Sequence, residues 1–146
     1  MRLGGQGIAL DGRLDDAAWL SAETAHGFRT WDPTRGELPS EETTFKVAYD
    51  DEAVYFGVAC LVDRGQIRNQ LCRRDAISNS DVISLYLDTH HDQTTCYNFR
   101  VNPAGVQEDR YVCDNGRNMD RDWDAVWDSA TFVDDDGWYA EMRIPF

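Results

Sequence analysis

Ile8-Ala9-Leu10-Asp11-Gly12-Arg13-Leu14-Asp15-Asp16-Ala17-Ala18-Trp19 near the start of the chain, and Gly137-Trp138-Tyr139-Ala140-Glu141-Met142-Arg143-Ile144-Pro145-Phe146 at its end, are the stretches whose reading decides the fold. The first reads as a short strand, a tight turn at Asp11-Gly12, and one helical turn capped by Asp15. An Asp side chain can accept from the free N–H groups of a first helical turn. Trp19 then closes the bottom of an apolar core. The second stretch alternates: Trp138, Ala140, Met142 and Ile144 face one way, and Tyr139, Glu141 and Arg143 the other. That is the period-2 signature of a strand.

The same period extends through the rest of the chain. Phe45, Val47 and Tyr49 alternate with Thr44, Lys46 and Ala48. Asp50-Asp51-Glu52 follows as a turn, its side chains suited to accept backbone N–H groups. Val54 to Val62 is apolar on both faces, as a covered central strand requires. Ile83, Leu85 and Leu87 alternate with Ser84, Tyr86 and Asp88, and Tyr97, Phe99 and Val101 with Asn98, Arg100 and Asn102. Turn signals separate the runs, without internal repeats or a low-complexity linker. The expected class is all-β, an antiparallel β-sandwich with an immunoglobulin-like or jelly-roll-like two-sheet architecture and one or two short helices.

One hairpin can be read to its register. In Asn102-Pro103-Ala104-Gly105, proline pre-sets φ and glycine supplies a positive φ, a type I turn followed by a bulge. Asn102 then faces Val106, Arg100 faces Glu108, Asn98 faces Arg110 and Cys96 faces Val112. A one-residue slip would exchange the polar and apolar faces.

Composition narrows the class of partner. The 146 residues suffice for one domain with a core, and 42% hydrophobic residues argue against disorder. A formal net charge of −13 argues against nucleic acid or an anionic membrane as partner. No apolar run approaches the ~20 residues of a membrane-spanning helix, and Met1-Arg2-Leu3-Gly4-Gly5 lacks the apolar core of a signal peptide. The four cysteines do not have the spacing of a zinc knuckle. Cys96 and Cys113 fall on opposite faces of the hairpin. The four read as buried thiols, with Cys60–Cys72 the one pairing left open. His90 and His91 are adjacent, so a strand points them apart, and His26 is remote. There is no glycine-rich phosphate loop, nucleophile elbow or zinc-protease helix motif.

The two end stretches together, with Phe99-Arg100-Val101-Asn102 between them, resemble the family 9 carbohydrate-binding modules. The match is to the subgroup whose N-terminal domain precedes a C-terminal domain of unknown function, often an outer-membrane barrel. The resemblance implies a β-sandwich that binds a saccharide without catalysis. Any glycoside hydrolase activity would then lie in another domain of a larger exported protein. In the family's sugar-binding members the Arg and Asn of this tetrapeptide contact sugar hydroxyls. A guanidinium fork and an amide offer several directed donors and acceptors. The expected ligand-binding residues are Asn98, Arg100 and Asn102 on the polar strand face, Trp31 and Trp127 as stacking platforms, and Arg74. Each has a plainer reading. Arg100 and Glu108 can form a cross-strand ion pair. Trp31, Trp123 and Trp127 can be core, as Trp19 and Trp138 are read. Arg74-Asp75 can be a local pair that fixes a loop.

The chain departs from the family's pattern before its Asp81–Asp88 strand. Ser78-Asn79-Ser80 stands where a platform Trp is found, and Ser84 replaces an acidic sugar contact. The second platform lies beyond Phe146, where relatives continue for one or more strands. The expectation is therefore one module over 1–146 lacking its last strands, with an exposed sheet edge that invites a homodimer. The resemblance also implies structural calcium, which modules of this family often carry. The candidate ligands here are Asp88 and Asp92 in one loop and Asp114, Asp120 and Asp122 in another, since calcium takes oxygen donors from flexible loops. The expected setting is periplasmic, outer-membrane associated or extracellular, with the C-terminal domain of the full-length protein as partner. Two alternatives stay open. One is the same fold as a structural or protein-interaction domain, with a contact face at Trp123–Trp127. The other is a haem-binding relative using Met119 or His90.

Overall fold

The alternating runs are strands. The computed structural model describes residues 1–146. In chain order it forms α1 (Ala17–Ser21), β1 (Thr24–Ala25), β2 (Glu42–Tyr49), β3 (Ala53–Leu61), β4 (Ile83–Leu87), β5 (Cys96–Val101), β6 (Gln107–Cys113), β7 (Asn118–Asp120), β8 (Asp128–Val133) and β9 (Gly137–Pro145). Single 3-10 turns sit at Arg64–Gln66 and Asp114–Gly116. The fold is all-β, with two antiparallel sheets. No helix is long and apolar enough to cross a membrane. The chain divides into two compact units, Met1–Ile67 with Trp127–Phe146, and Arg68–Val126, each built on one sheet.

The first unit holds the sheet β1-β2-β3-β9-β8. The doubly apolar run is its middle strand, as the absence of a polar face requires. Register places Phe56 opposite Met142 and Val58 opposite Ala140 on one face, and Gly57 opposite Glu141 on the other. The Gly57 face lies under the N-terminal segment. A Cβ at position 57 would meet Leu14 Cδ2 at 2.8 Å and the Trp19 ring at 3.3 Å, so the missing side chain leaves room for the indole. Trp19 is fully buried with Leu3, Ala18, Ala22, Ala48, Ala53 and Tyr55, as a core tryptophan should be.

The two end stretches meet at one side chain. Glu141 is fully buried, and its Oε1 accepts from Trp19 Nε1 at 2.7 Å. Its Oε2 accepts from the backbone N–H groups of Asp11 at 2.9 Å and Gly12 at 2.7 Å. Gly12 has φ +85°, and a Cβ there would stand 2.4 Å from the Thr131 carbonyl carbon, so only glycine serves. The cap differs from the sequence reading. Asp16, not Asp15, is the N-cap, and it makes no side-chain bond to the helix. Its Oδ2 accepts from Ala9 N at 2.9 Å, while Asp15 lies exposed. With the turn already held from below by Glu141, the acid next to the helix closes the preceding loop. The Asp50 turn is as expected: Oδ1 accepts from Glu52 N and Ala53 N, each at 2.8 Å.

The second unit holds the sheet β4-β5-β6-β7. The hairpin register is the one read from sequence: Cys96 opposite Val112, Asn98 opposite Arg110, Arg100 opposite Glu108. Gly105 has φ +75° and donates to Asn102 O at 2.9 Å, while Asn102 N donates to Val106 O at 3.2 Å. On the apolar face, Trp123 stacks on Tyr97 with ring centroids 4.8 Å apart and meets the edge of Phe99 at 6.0 Å. All four cysteines are half-buried thiols. Burial pushes the Cys96 thiol up, helped by Asp88 and Asp92.

Candidate functional site

The polar face of the second unit's sheet is assembled by register alone. Ser84 lies opposite Arg100 and Tyr86 opposite Asn98, so β4, β5 and β6 bring Ser84, Tyr86, Asn98, Arg100, Glu108 and Arg110 to one side. Glu108 is its electrostatic centre. This buried carboxylate accepts from Arg100 Nη1 through Oε2, and from both Arg110 Nε and Arg110 Nη2 through Oε1. Arg100 Nε donates to Ser84 Oγ at 3.1 Å. Burial pulls the Arg100 guanidinium below its ordinary value, Glu108 opposes that, and Arg110 adds to it by repulsion. The cross-strand ion pair and the polar binding face therefore coexist. Nε and Nη1 are committed within the sheet, while Nη2 carries no bond. The Arg100 side chain keeps 19% exposure.

Tyr86, 55% exposed, presents an aromatic ring on the same face. The sequence reading marked its outward position in the β4 alternation without giving it a role. The signal that finds it is register, because the β4–β5 pairing sets it beside the Arg100 strand.

The other expected ligand residues fall elsewhere. Asn102 is fully buried and pinned: Nδ2 donates to Gln70 O at 2.8 Å and Ser80 Oγ at 3.2 Å, and Oδ1 accepts from Val106 N at 2.9 Å. It locks the hairpin end to the loop before β4. Arg74 is a structural hub, donating to Gln107 Oε1 at 2.6 Å, Asp109 Oδ1 at 2.5 Å and Ala125 O at 3.2 Å. Asp75 and Asp124 lie 3.6 and 3.5 Å from its Nε. Burial pushes the Asp75 carboxyl up, although Asp109 N donates to it. Trp127 is buried at 5% exposure and offers no open ring. Trp123 and Trp127 belong to different units, Trp123 packed on Tyr97. Trp31 belongs to the first unit and is 72% exposed. It sits in a loop closed by Thr30 N to Glu37 O at 3.0 Å, with Arg35 Cζ 3.9 Å over its ring.

The acidic loops turn inward on their own backbones. Asp88 accepts from Asp92 N and Gln93 N, at 3.2 and 2.9 Å. Asp92 accepts from Thr94 N, Thr95 N and Thr95 Oγ1, each at 2.7 Å, which holds its carboxyl far below the usual range. Asp114 accepts from Asn118 Nδ2, and Asp120 from Asp122 N at 3.0 Å. No three His, Cys, Asp or Glu side chains converge into a set that could hold a cation. The five carboxylates as folded do not fit a calcium shell, which needs 6–8 converging oxygens.

The model of the carbohydrate family 9 binding domain-like family matches residues 10–146, and the chain belongs to that family. Two solved structures of a family 9 carbohydrate-binding module from Caldicellulosiruptor kristjanssonii are similar to it. The complex with cellotriose shares 18% identity at a TM-score of 0.68, covering 96% of this chain and 64% of that one. The complex with glucose shares 18% identity at a TM-score of 0.70, covering 100% and 68%. At that identity the likeness shows the fold, a β-sandwich. This chain spans about two thirds of those chains. No curated protein matches it.

Proposed function

We propose that the chain is a non-catalytic saccharide-binding module, and that its site is the polar face of the sheet β4-β5-β6-β7. The observation that carries this reading is Arg100. Its guanidinium is held by Ser84 and Glu108, yet one terminal nitrogen remains without a partner, on the face that also carries the exposed ring of Tyr86. A saccharide needs these two things, a directed donor for a hydroxyl and an aromatic face for the apolar side of the ring. Membership of a carbohydrate-binding family and the saccharides bound by the C. kristjanssonii module support the same reading. Trp31 is a separate stacking candidate in the first unit. Such a module works as an appendage of a larger exported protein, with any catalysis residing elsewhere in it.

The test is calorimetric titration of the chain with glucose and with cellotriose. Binding is expected, weakened at least about tenfold in Arg100→Ala and in Tyr86→Ala, with melting temperatures kept within a few degrees. Absence of heat with both sugars at millimolar concentration would overturn the reading.

A further inference from the structure

One polar atom on this face stands apart from its neighbours. Asn98 is 1% exposed, and its Nδ2 donates to Leu85 O at 3.1 Å. Its Oδ1 is buried and has no hydrogen-bond partner, the only side-chain nitrogen or oxygen of the protein in that state. The Leu85 bond fixes which end of the amide is oxygen, because a flipped amide would set two acceptors against each other. A buried polar group without a partner is destabilising by roughly 1–3 kcal/mol, so an orphan at a sheet centre calls for a reason.

The reason lies in how the rest of the face is satisfied. Glu108 accepts from two guanidiniums, and Ser84 Oγ accepts from Arg100. The face keeps guanidinium donors to spare at Arg100 Nη2 and Arg110 Nη1, and it keeps one buried acceptor to spare, Asn98 Oδ1, two residues from Arg100 on the same side of β5. A face with spare guanidinium donors alone would suit a carboxylate or a phosphate, which only accept. A face that also holds a buried acceptor to fill needs a ligand that donates as well, and a neutral polyol, whose hydroxyls do both, suits it.

We propose that Asn98 Oδ1 accepts a hydrogen bond from a ligand hydroxyl while Arg100 Nη2 donates to another, so that the site selects neutral sugar rings over anionic ones. This deepens the saccharide reading above and rests on it. Oδ1 is covered in the free chain, so the contact forms with a local side-chain shift on binding. The formal charge of −13 adds to the selection by repelling anions at long range.

The experiment titrates the chain with glucose, glucuronate and the four monodeoxyglucoses, in the wild type and in Asn98→Ala. Glucose is expected to bind more tightly than glucuronate. One deoxy sugar is expected to bind roughly three- to tenfold more weakly than glucose in the wild type, with the difference vanishing in the variant. Should Asn98→Ala not fold, the wild-type Asn98 side-chain carbonyl carbon is read by NMR, and its resonance is expected to shift on saturation with glucose. Glucose binding with no such shift, or deoxy penalties identical in the two proteins, would overturn the role of Asn98 and leave the saccharide reading standing. Tighter binding of glucuronate would overturn the selection for neutral rings. Absence of binding by every sugar would remove both.

Discussion

Each unit of this protein buries a glutamate in the middle of its sheet, and the two are satisfied in opposite ways. Glu141 in the first unit is surrounded by neutral donors: one indole N–H and two backbone N–H groups. Glu108 in the second is held by two guanidiniums that reach the surface. Neutral donors leave a net charge in the core, and burial accordingly pushes the Glu141 carboxyl up, with the three donors pulling against it. Such a carboxylate is useful only as a pin. It ties residues 11, 12 and 19 to residue 141 and so fixes where the N-terminal segment crosses the sheet. Guanidiniums cancel the charge of Glu108 and retain donors to spare, so that carboxylate orients two arginines on the face proposed to bind. One residue type is a fastener in one unit and a positioning group in the other, and the difference is made by what surrounds it.

The contrast is broken most sharply at Glu141. Glu141→Ala leaves two buried N–H donors and one part-buried one without an acceptor and is expected to cost about 3–5 kcal/mol, measured by urea unfolding. A cost below 1 kcal/mol would mean that the N-terminal segment is held by packing alone. Glu108→Gln keeps one carbonyl oxygen, and its arginines are partly exposed and can turn to water. Its expected cost is smaller, about 1–2 kcal/mol, accompanied by weaker sugar binding as Arg100 loses its anchor. If that variant bound sugar as tightly as the wild type, Glu108 would be a fastener like Glu141.

A subtler difference lies in acid sensitivity. Asp50 accepts from Glu52 N and Ala53 N, which with Tyr55 and Arg143 hold its carboxyl below its ordinary 3.8 against some desolvation. A depressed folded value means stability that is present above that ordinary value and is lost as pH falls through the folded one. Asp50→Asn is therefore expected to flatten the fall of melting temperature below pH 4, checked by scanning calorimetry. An unchanged profile would assign the acid transition to other groups. The smallest effects separate two adjacent acids. Asp16→Ala is expected to cost about 1 kcal/mol through its bond to Ala9 N, and Asp15→Ala nearly nothing. The reverse order would restore the cap read from the sequence.

Much of this was legible in the residues. Alternation placed the long strands, a doubly apolar run marked the central one, and Asn102-Pro103-Ala104-Gly105 fixed a register that the structure reproduces pair by pair. These are local rules: side-chain direction repeats every two residues, and proline and glycine restrict φ within one turn. Phe99-Arg100-Val101-Asn102 lies on β5, the strand that carries Arg100 of the proposed site.

Which of its polar residues remain available could not be read locally. Asn102 and Arg74 look like ligand residues in sequence, yet their donors are consumed by Gln70, Ser80, Gln107, Asp109 and Ala125. Tyr86 gains its place only because β4 pairs with β5, and Asn98 Oδ1 is an orphan only because no neighbour supplies a donor. The partner of Glu141 lies about 130 positions away along the chain. The sequence by itself determined the strands, one hairpin register and the all-β class, because those follow from each residue's own geometry and its nearest neighbours. The tertiary structure alone decided which buried acid fastens, which one orients, and which donors and acceptors are left over, because a hydrogen bond is settled by what else lies within 3 Å of it in the folded chain.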